Sequence, residues 1–173
     1  MISKTDLAFC ADNIFDRNDV LIAEVAILRG LDFRLSYPTC LDFVELYSNV
    51  IDLEESRRLM SRYIAELALQ CQINLKYPPS LVASCVVALA LFCVGTAELW
   101  PTVLEETTGY SWLDLEQCMV TLSSDIHHVR STIPELKIIT RRYRRSLNGG
   151  VALVHIPRIT SFATLGNPRA QHM

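Results

Sequence analysis

Hydrophobic and polar positions along most of this chain recur at the spacing of amphipathic helices. From about residue 16 to residue 133, apolar side chains return every three or four positions, and polar residues occupy the other faces. The alternation typical of a strand is confined to a short stretch at 151–156. The pattern therefore predicts an all-α protein, with about five helices wrapped around a central one.

Helix starts and breaks punctuate this pattern. Proline or glycine interrupts it at Pro38, Pro101, Gly109 and the pair Gly149-Gly150. Side chains that can cap a helix N-terminus precede several predicted helices. They are Asp16, Thr39 with Asp42, Asp52 with Glu55, and Ser111 with Asp114.

The segment from Tyr77 to Ala97 carries no charged residue and is closed by Lys76 and Glu98. It could be a membrane helix or the buried axis of a helical bundle. Two prolines delay the helix start to about Ser80, which leaves roughly 17 residues or about 25 Å, whereas a bilayer core measures ~30 Å. Its amphipathic neighbours also need an apolar partner, so the pattern favours the bundle. The membrane helix stays the alternative.

Charged residues of the helix that begins near Asp52 lie opposite its apolar face. The spacing predicts two favourable pairs one helical turn apart, Glu54–Arg58 and Arg62–Glu66. We expect these charges to form a solvated face and nothing more.

Composition narrows the functional classes. Half of the 173 residues are hydrophobic, and 16 basic against 19 acidic residues give a net charge of −3. This balance makes no general case for binding nucleic acid or acidic lipid. We expect no membrane partner, no small-molecule ligand and no cofactor.

The six cysteines form no CxxC pair, so we expect reduced core thiols in a reducing compartment rather than disulfides or a metal site. They are Cys10, Cys40, Cys71, Cys85, Cys93 and Cys118.

Catalytic patterns are also missing from the sequence. It contains no HExxH, GxSxG or GxxxxGK motif, and the adjacent His127 and His128 point to different helical faces. We therefore expect that the chain is not an enzyme and that it holds no metal.

A basic cluster on the last predicted helix is the densest charge feature of the chain. Its members are Arg141, Arg142, Arg144 and Arg145. The cluster could bind a phosphate or nucleic acid, or act as a nuclear-import signal. The alternative is a cationic helix end stabilised by the helix macrodipole.

Glu24 interrupts an apolar stripe, one turn after Val20 and one turn before Leu28. An unpaired carboxylate buried there would cost several kcal/mol. Glu24 therefore either reaches solvent at the edge of the stripe or meets a cation, which could belong to a partner.

The ordered set of motifs resembles the mitotic A/B-type cyclins from about Leu7 to Pro157. The family motif Y-I-T-D-x-x-Y resembles the run 9–15, and E-x-x-I-L-x-x-L-x-F-x-L-x-x-P-T resembles the run from Glu24 to Thr39. The motif P-S-x-x-A resembles Pro79-Ser80 with Ala83. Further matches in the same order are Trp100-Pro101, Thr108-Gly109-Tyr110, Arg142-Tyr143 and Gly150-Val151.

The resemblance implies a cyclin fold with four parts. These are the last one or two helices of a truncated N-terminal cyclin box (1–35), a C-terminal five-helix box around the central apolar helix (36–133), a basic terminal helix (134–148) and an extended, partly disordered tail (149–173). The sequence lacks the family's M-R-A-I-L and Lys-Phe-Glu-Glu segments. The substrate-docking patch and much of the kinase interface would therefore be missing.

The resemblance also implies a function, that of a non-catalytic subunit which binds and activates a cyclin-dependent protein kinase in G2/M or S/M control. The kinase-facing residues would be Glu24, Phe33 and Cys10, and the protein would occupy the nucleus and cytoplasm. The alternatives are a truncated scaffold that activates nothing, which predicts self-association, and a cyclin-fold adaptor that binds protein or, against its net charge, nucleic acid.

Overall fold

Helices provide the regular structure in residues 3–12, 14–132 and 137–162, the ranges described by this computed structural model. No strand occurs within those ranges. The prediction of an all-α protein is therefore confirmed. The chain divides into two units, Met1–Tyr37 and Pro38–Met173. The domain limits expected from the sequence stay predictions.

The first unit consists of helix α1 (Lys4–Cys10) packed against helix α2 (Arg17–Gly30). Asp16 caps α2, because its Oδ1 accepts hydrogen bonds from the backbone N–H groups of Asn18 (2.6 Å) and Asp19 (2.8 Å). The carboxylate of Asp19 accepts in return from the Asp16 N–H at 2.9 Å. This reciprocal capping box confirms the helix start that the sequence predicts.

The second unit contains helices α3 to α8. Each of these helices contributes buried side chains to one hydrophobic core. The helices are α3 (Cys40–Val50), α4 (Glu55–Ala68), α5 (Pro79–Cys93), α6 (Thr102–Thr108), α7 (Glu116–Thr132) and α8 (Lys137–Tyr143). Helix α5 packs against α3, α4 and α7, and every residue from Val82 to Leu91 is buried. The predicted central apolar helix is therefore confirmed.

Helix α5 is shorter than the pattern predicts, at 15 residues. It ends at Cys93 because Gly95 adopts a left-handed conformation with φ 73°, which reverses the chain. The N–H of Thr96 then donates to the carbonyl of Leu91 at 3.0 Å. Among the described residues, no helix has both the length and the apolar character to cross a bilayer.

Local caps also begin α3 and α7. Thr39 and Asp42 form the predicted capping box at α3. Ser111 and Asp114 form a second one at a short 3₁₀ helix, Trp112–Leu115, which leads directly into α7. Each cap depends on side chains three residues apart, so both could be predicted from the sequence.

The charged face of α4 differs from the prediction. Arg58 and Arg62 reach across to Glu45 on α3, with N···O distances of 3.4 and 2.5 Å. Glu66 pairs with Arg142 of α8 at 3.0 Å. The expectation of a merely solvated face is wrong, because these charges connect α4 to two neighbouring helices.

The chain after α8 packs on the helices rather than leaving them. A 3₁₀ helix occupies Val151–Leu153 where the pattern alternates. Ile156, Ile159 and Phe162 are then buried. Ser123 of α7 holds this segment, since its Oγ accepts from the Ile159 N–H at 2.7 Å. Residues 163–173 of the expected tail, and 133–136 at the expected start of the basic helix, lie outside the described residues.

Candidate functional site

All three residues expected to face a kinase lie in the first unit. Cys10 is the last residue of α1, Glu24 lies in the second half of α2, and Phe33 follows α2 in the turn that ends it. The side chains of all three are exposed. All three side chains are therefore accessible to a partner, at three points spread along this unit.

The turn after α2 presents Phe33 to solvent. Asp32 and Phe33 both have positive φ, 49° and 57°, a region that L-residues seldom occupy. The Phe33 N–H donates to the Leu28 carbonyl at 2.9 Å, which closes the end of the helix. The aromatic side chain remains 65% exposed. A large apolar group held outward by a strained backbone is typical of a contact residue.

Glu24 lines an apolar groove of about 590 Å³ formed by α1 and α2. Its other lining residues are Leu7, Phe15, Asp19, Val20, Ala23, Ile27 and Leu28. The carboxylate of Glu24 is exposed, so its position between Val20 and Leu28 does not place it in a core. The groove combines acidic and apolar groups that a basic, amphipathic partner could match.

Exposed apolar side chains are unusually dense in this unit. No residue of α2 is buried, although the helix is rich in Val, Ile and Leu. Surface of this kind marks protein–protein interaction sites. Among the described residues of the unit, the exposed large apolar ones are Leu7, Phe9, Ile14, Phe15, Ile22, Val25, Ile27, Leu31, Phe33, Leu35 and Tyr37.

The basic cluster does not act as one patch, because its arginines have different surroundings. Arg142 donates from Nη1 to both carboxylate oxygens of Glu66, at 3.1 and 3.0 Å. Tyr143 donates its hydroxyl to the same carboxylate at 2.8 Å. Burial is the main cause that raises the pKa of Tyr143, and the hydrogen bond to Glu66 raises it further. All four arginines are exposed, and among the described residues only Arg142 forms an ion pair, which joins α8 to α4.

The cysteines are free thiols. Four are buried, Cys93 is partly buried and Cys10 is exposed. Desolvation raises the pKa of Cys40, Cys71 and Cys93 to about 12. Among the described residues, no cluster of three or more His, Cys, Asp or Glu side chains could hold a metal.

Glu45 is a residue of structural importance that sequence reasoning missed. It accepts hydrogen bonds from Arg62 at Nε and Nη2 and from Arg58 at Nη1. The hydrogen bond from Arg62 is the main cause that lowers the pKa of Glu45. Its partners lie 13 and 17 residues away, so helical spacing within α3 carries no signal of them.

The second unit matches a known family. The model of the cyclin C-terminal domain matches residues 38–157. That range contains α3 to α8 and the start of the segment that packs on α7.

Individual relatives extend the similarity into the first unit. The G2/mitotic-specific cyclin-A of Drosophila melanogaster is 34% identical over 152 residues, covering 86% of this chain and 30% of the relative. Cyclin-B1-2 of Arabidopsis thaliana is 28% identical over 149 residues, covering 86% and 33%. The cyclin-A of Hydra viridissima is 30% identical over 150 residues, covering 85% and 35%. The chain thus spans about a third of the length of these curated relatives.

Proposed function

Because this chain belongs to the cyclin family, we propose that it is a regulatory subunit that binds a cyclin-dependent protein kinase and favours its active state. It would have no catalytic activity of its own, and it would act in G2/M or S/M control, in the nucleus and cytoplasm. The observation that carries the proposal is the match of residues 38–157 to the cyclin C-terminal domain. Relatives named G2/mitotic-specific cyclins support the proposed stage of the cell cycle.

The proposed contact surface is the first unit, with Glu24, Phe33 and Cys10 facing the kinase. Three observations support it: Glu24 lines the groove between α1 and α2, Phe33 is held outward, and the apolar side chains of α2 are exposed. An apolar centre with a charged residue at its margin is the composition of a protein interface. A basic residue of the kinase would complement Glu24.

The proposed mechanism is a shift in the kinase's conformational equilibrium. In protein kinases, an ion pair between a strand lysine and a glutamate of the αC helix must form before phosphoryl transfer. A subunit that binds more tightly to the arrangement in which this pair exists stabilises that arrangement. Here α2 and the turn at Phe33 would provide the differential contacts, and no group of this chain would touch the reacting phosphate.

A pull-down with a purified cyclin-dependent kinase tests the surface. We expect the native chain to retain the kinase and Glu24→Lys to retain at least fivefold less, because the substitution places like charges opposite each other. Glu106→Lys is the matched control. Glu106 is also an exposed glutamate on a helix, but it lies on α6 of the second unit, so this variant should retain the kinase as the native chain does.

Equal retention of the kinase by the native chain and Glu24→Lys, or retention by neither, would contradict the proposed surface. Binding and activation are measured separately, because the chain spans only about a third of its relatives. Phosphate transfer from ATP to a protein substrate, with and without the chain, measures activation. Kinase retention without increased transfer would favour the truncated-scaffold alternative.

The scaffold alternative has one observation in its favour, the exposed apolar surface of α2. Without a partner, such a surface favours self-association. Size-exclusion chromatography at increasing concentration distinguishes the two functions. A monomeric chain that activates the kinase would exclude the scaffold, whereas soluble oligomers that retain no kinase would support it.

A further inference from the structure

A pocket of about 300 Å³ lies among α4, α7 and α8 in the second unit. Leu67 and Gln70 contribute to it from α4 and the turn after it, and Val129 contributes from α7. The other described lining residues are Arg130, Lys137, Thr140, Arg141 and Arg144. The volume is at the lower end of the ~300–1,000 Å³ typical of small-ligand sites, so the pocket fits one compact group.

The charge around the pocket is all of one sign. Four of its described lining residues are cations, and none is an acid. Two of the arginines have a local explanation, since Arg130 and Arg141 lie in the last turns of α7 and α8, where the macrodipole stabilises positive charge. Lys137 has no such explanation, because it is the first residue of α8.

No ion pair within the described part of the chain engages these four cations. The ion pairs found there engage Arg57, Arg58, Arg62 and Arg142. The contrast with Arg142 is informative, because the adjacent Arg141 turns to the pocket while Arg142 pairs with Glu66. Concentrated positive charge around a concave site raises the local concentration of anions.

We propose that this pocket binds a phosphomonoester group, supplied by a phosphorylated serine or threonine of a partner protein. Arg130, Arg141 and Arg144 would hold the phosphate oxygens through charge-assisted hydrogen bonds, and Lys137 would add a point charge. The apolar walls formed by Leu67 and Val129 suit the carbon atoms next to the ester oxygen. The pocket belongs to the second unit, whereas the proposed kinase-facing surface belongs to the first.

The shape and the charge balance favour a phosphoprotein over a polyanion. Nucleic acid needs a basic stripe that follows several phosphates, whereas this positive charge surrounds one pocket on a chain of net charge −3. A lipid headgroup would need further apolar or basic anchoring at the membrane surface. A single phosphorylated side chain needs only the pocket and a few flanking contacts.

Fluorescence polarisation with the full chain tests the proposal. The probes are a fluorescein-labelled pool of phosphoserine and phosphothreonine peptides with randomised flanks, and the same pool without phosphate. We expect the phosphorylated pool to bind at least tenfold more tightly. The double variant Arg141→Gln/Arg144→Gln should lose that preference. Arg145→Gln, which removes a neighbouring exposed arginine outside the pocket lining, should stay within twofold of the native chain.

Several outcomes would overturn the proposal. They are equal binding of the two peptide pools, an equal loss in Arg145→Gln, or tighter binding of a single-stranded RNA oligonucleotide or of phosphatidylinositol-phosphate vesicles than of the phosphorylated pool. Circular dichroism checks that the double variant folds. If it does not, Lys137→Gln takes its place, since Lys137 is exposed and engages no ion pair among the described residues. Retained preference for the phosphorylated pool in that folded variant would equally contradict the site.

Discussion

Individual side chains of this protein have very different access to water, and the cysteines display the difference most clearly. Cys85 lies in the middle of α5 and donates its thiol to the Leu115 carbonyl at 3.5 Å. Burial raises the pKa of the Cys85 thiol well above its ordinary value. Because the thiolate is the reactive form, burial and a raised pKa act together against modification.

We predict that one thiol reacts rapidly with Ellman's reagent in the native protein. Cys10 should react because it is exposed at the end of α1. Cys40, Cys71 and Cys93, with pKa values raised to about 12, should react at least tenfold more slowly near neutral pH, and Cys85 and Cys118 should do the same. Absorbance at 412 nm follows the reaction.

Cys10→Ser is the control for that assignment and should abolish the fast phase. In guanidinium chloride all six thiols of the native sequence should react. A second fast thiol in the folded protein would contradict the burial described for the other five cysteines.

At the residue scale, the sequence predicts capping side chains well and the surroundings of single charges poorly. Asp16 and Thr39 could be identified because their partners lie two or three positions along the chain. The surroundings of Glu24 could not, because they depend on where α1 lies against α2. The periodic pattern of α2 identifies the faces of a helix but not which of them another element covers.

At the scale of elements, helices α3, α4 and α8 are connected by charge as well as by apolar packing. Glu45 connects α3 to α4, and Glu66 connects α4 to α8. The carboxylate of Glu45 and the side chain of Arg58 are only partly exposed, at 31% and 17%. Removing one partner of an ion pair with this degree of shielding costs more than at a fully exposed pair, because the other charge is left uncompensated.

We predict that Glu45→Gln lowers the free energy of unfolding by about 1–2 kcal/mol, because it leaves two partly shielded arginines without their carboxylate. Urea unfolding near pH 7 measures this change. The matched control is Glu106→Gln, which alters an exposed glutamate of α6 and should leave stability within about 0.5 kcal/mol of the native value.

The effect of Glu45→Gln should also depend on pH. The pKa of Glu45 is lower in the folded protein than its ordinary 4.5. Its contribution is therefore fully present above that ordinary value and is lost as the pH falls through the folded pKa. The difference between the two proteins should shrink over this acid range. A difference that stays constant with pH would contradict an electrostatic origin.

Element boundaries show where local signals were sufficient and where they were not. Gly109 ends α6 where the sequence predicts, since its left-handed conformation is a frequent helix stop. The end of α5 was misjudged because the apolar run continues past Cys93 into Val94, and composition alone extends the helix. The ion pairs between helices could not be predicted for a different reason. Several acids and bases have suitable spacing within one helix, and the packing of the helices determines which of them pair.

At the scale of the whole molecule, the chain beyond α8 completes the second unit. The phenyl ring of Phe162 stacks on Trp112 with ring centroids 4.2 Å apart, and the Phe162 N–H donates to Glu116 at 2.9 Å. The Ile156 carbonyl meets Nε2 of His127 at 2.9 Å. This segment covers α7 from its first residues to its second half.

We predict that Ile156→Ala destabilises the protein by about 2–4 kcal/mol, because Ile156 is fully buried and the substitution leaves a cavity beside α7. Leu153→Ala is the matched control, since Leu153 is only three residues away but 69% exposed. It should change stability by less than about 0.5 kcal/mol. Thermal unfolding of both variants provides the test, and equal losses would show that the segment does not pack as described.

The sequence predicts the helical architecture of both units because the amphipathic pattern repeats in the long helices around the apolar α5. It does not predict that residues 151–162 belong to the core. Ile156, Ile159 and Phe162 lie three positions apart, but no α-helix or strand contains them, so that spacing carries no regular meaning there. Their burial depends on a surface of α7 that is distant in sequence, so only the folded structure identifies it.

The docking of this last segment has a consequence for the order in which the protein is made. A ribosome completes α3, α4, α5 and α7 well before it reaches Ile156, Ile159 and Phe162. During that interval one side of α7 has no covering, and the hydroxyl of Ser123 has no Ile159 backbone to bond. The nascent chain therefore exposes apolar surface of α7 until residues 156–162 emerge from the exit tunnel. A chaperone that shields α7 would be needed most at that moment.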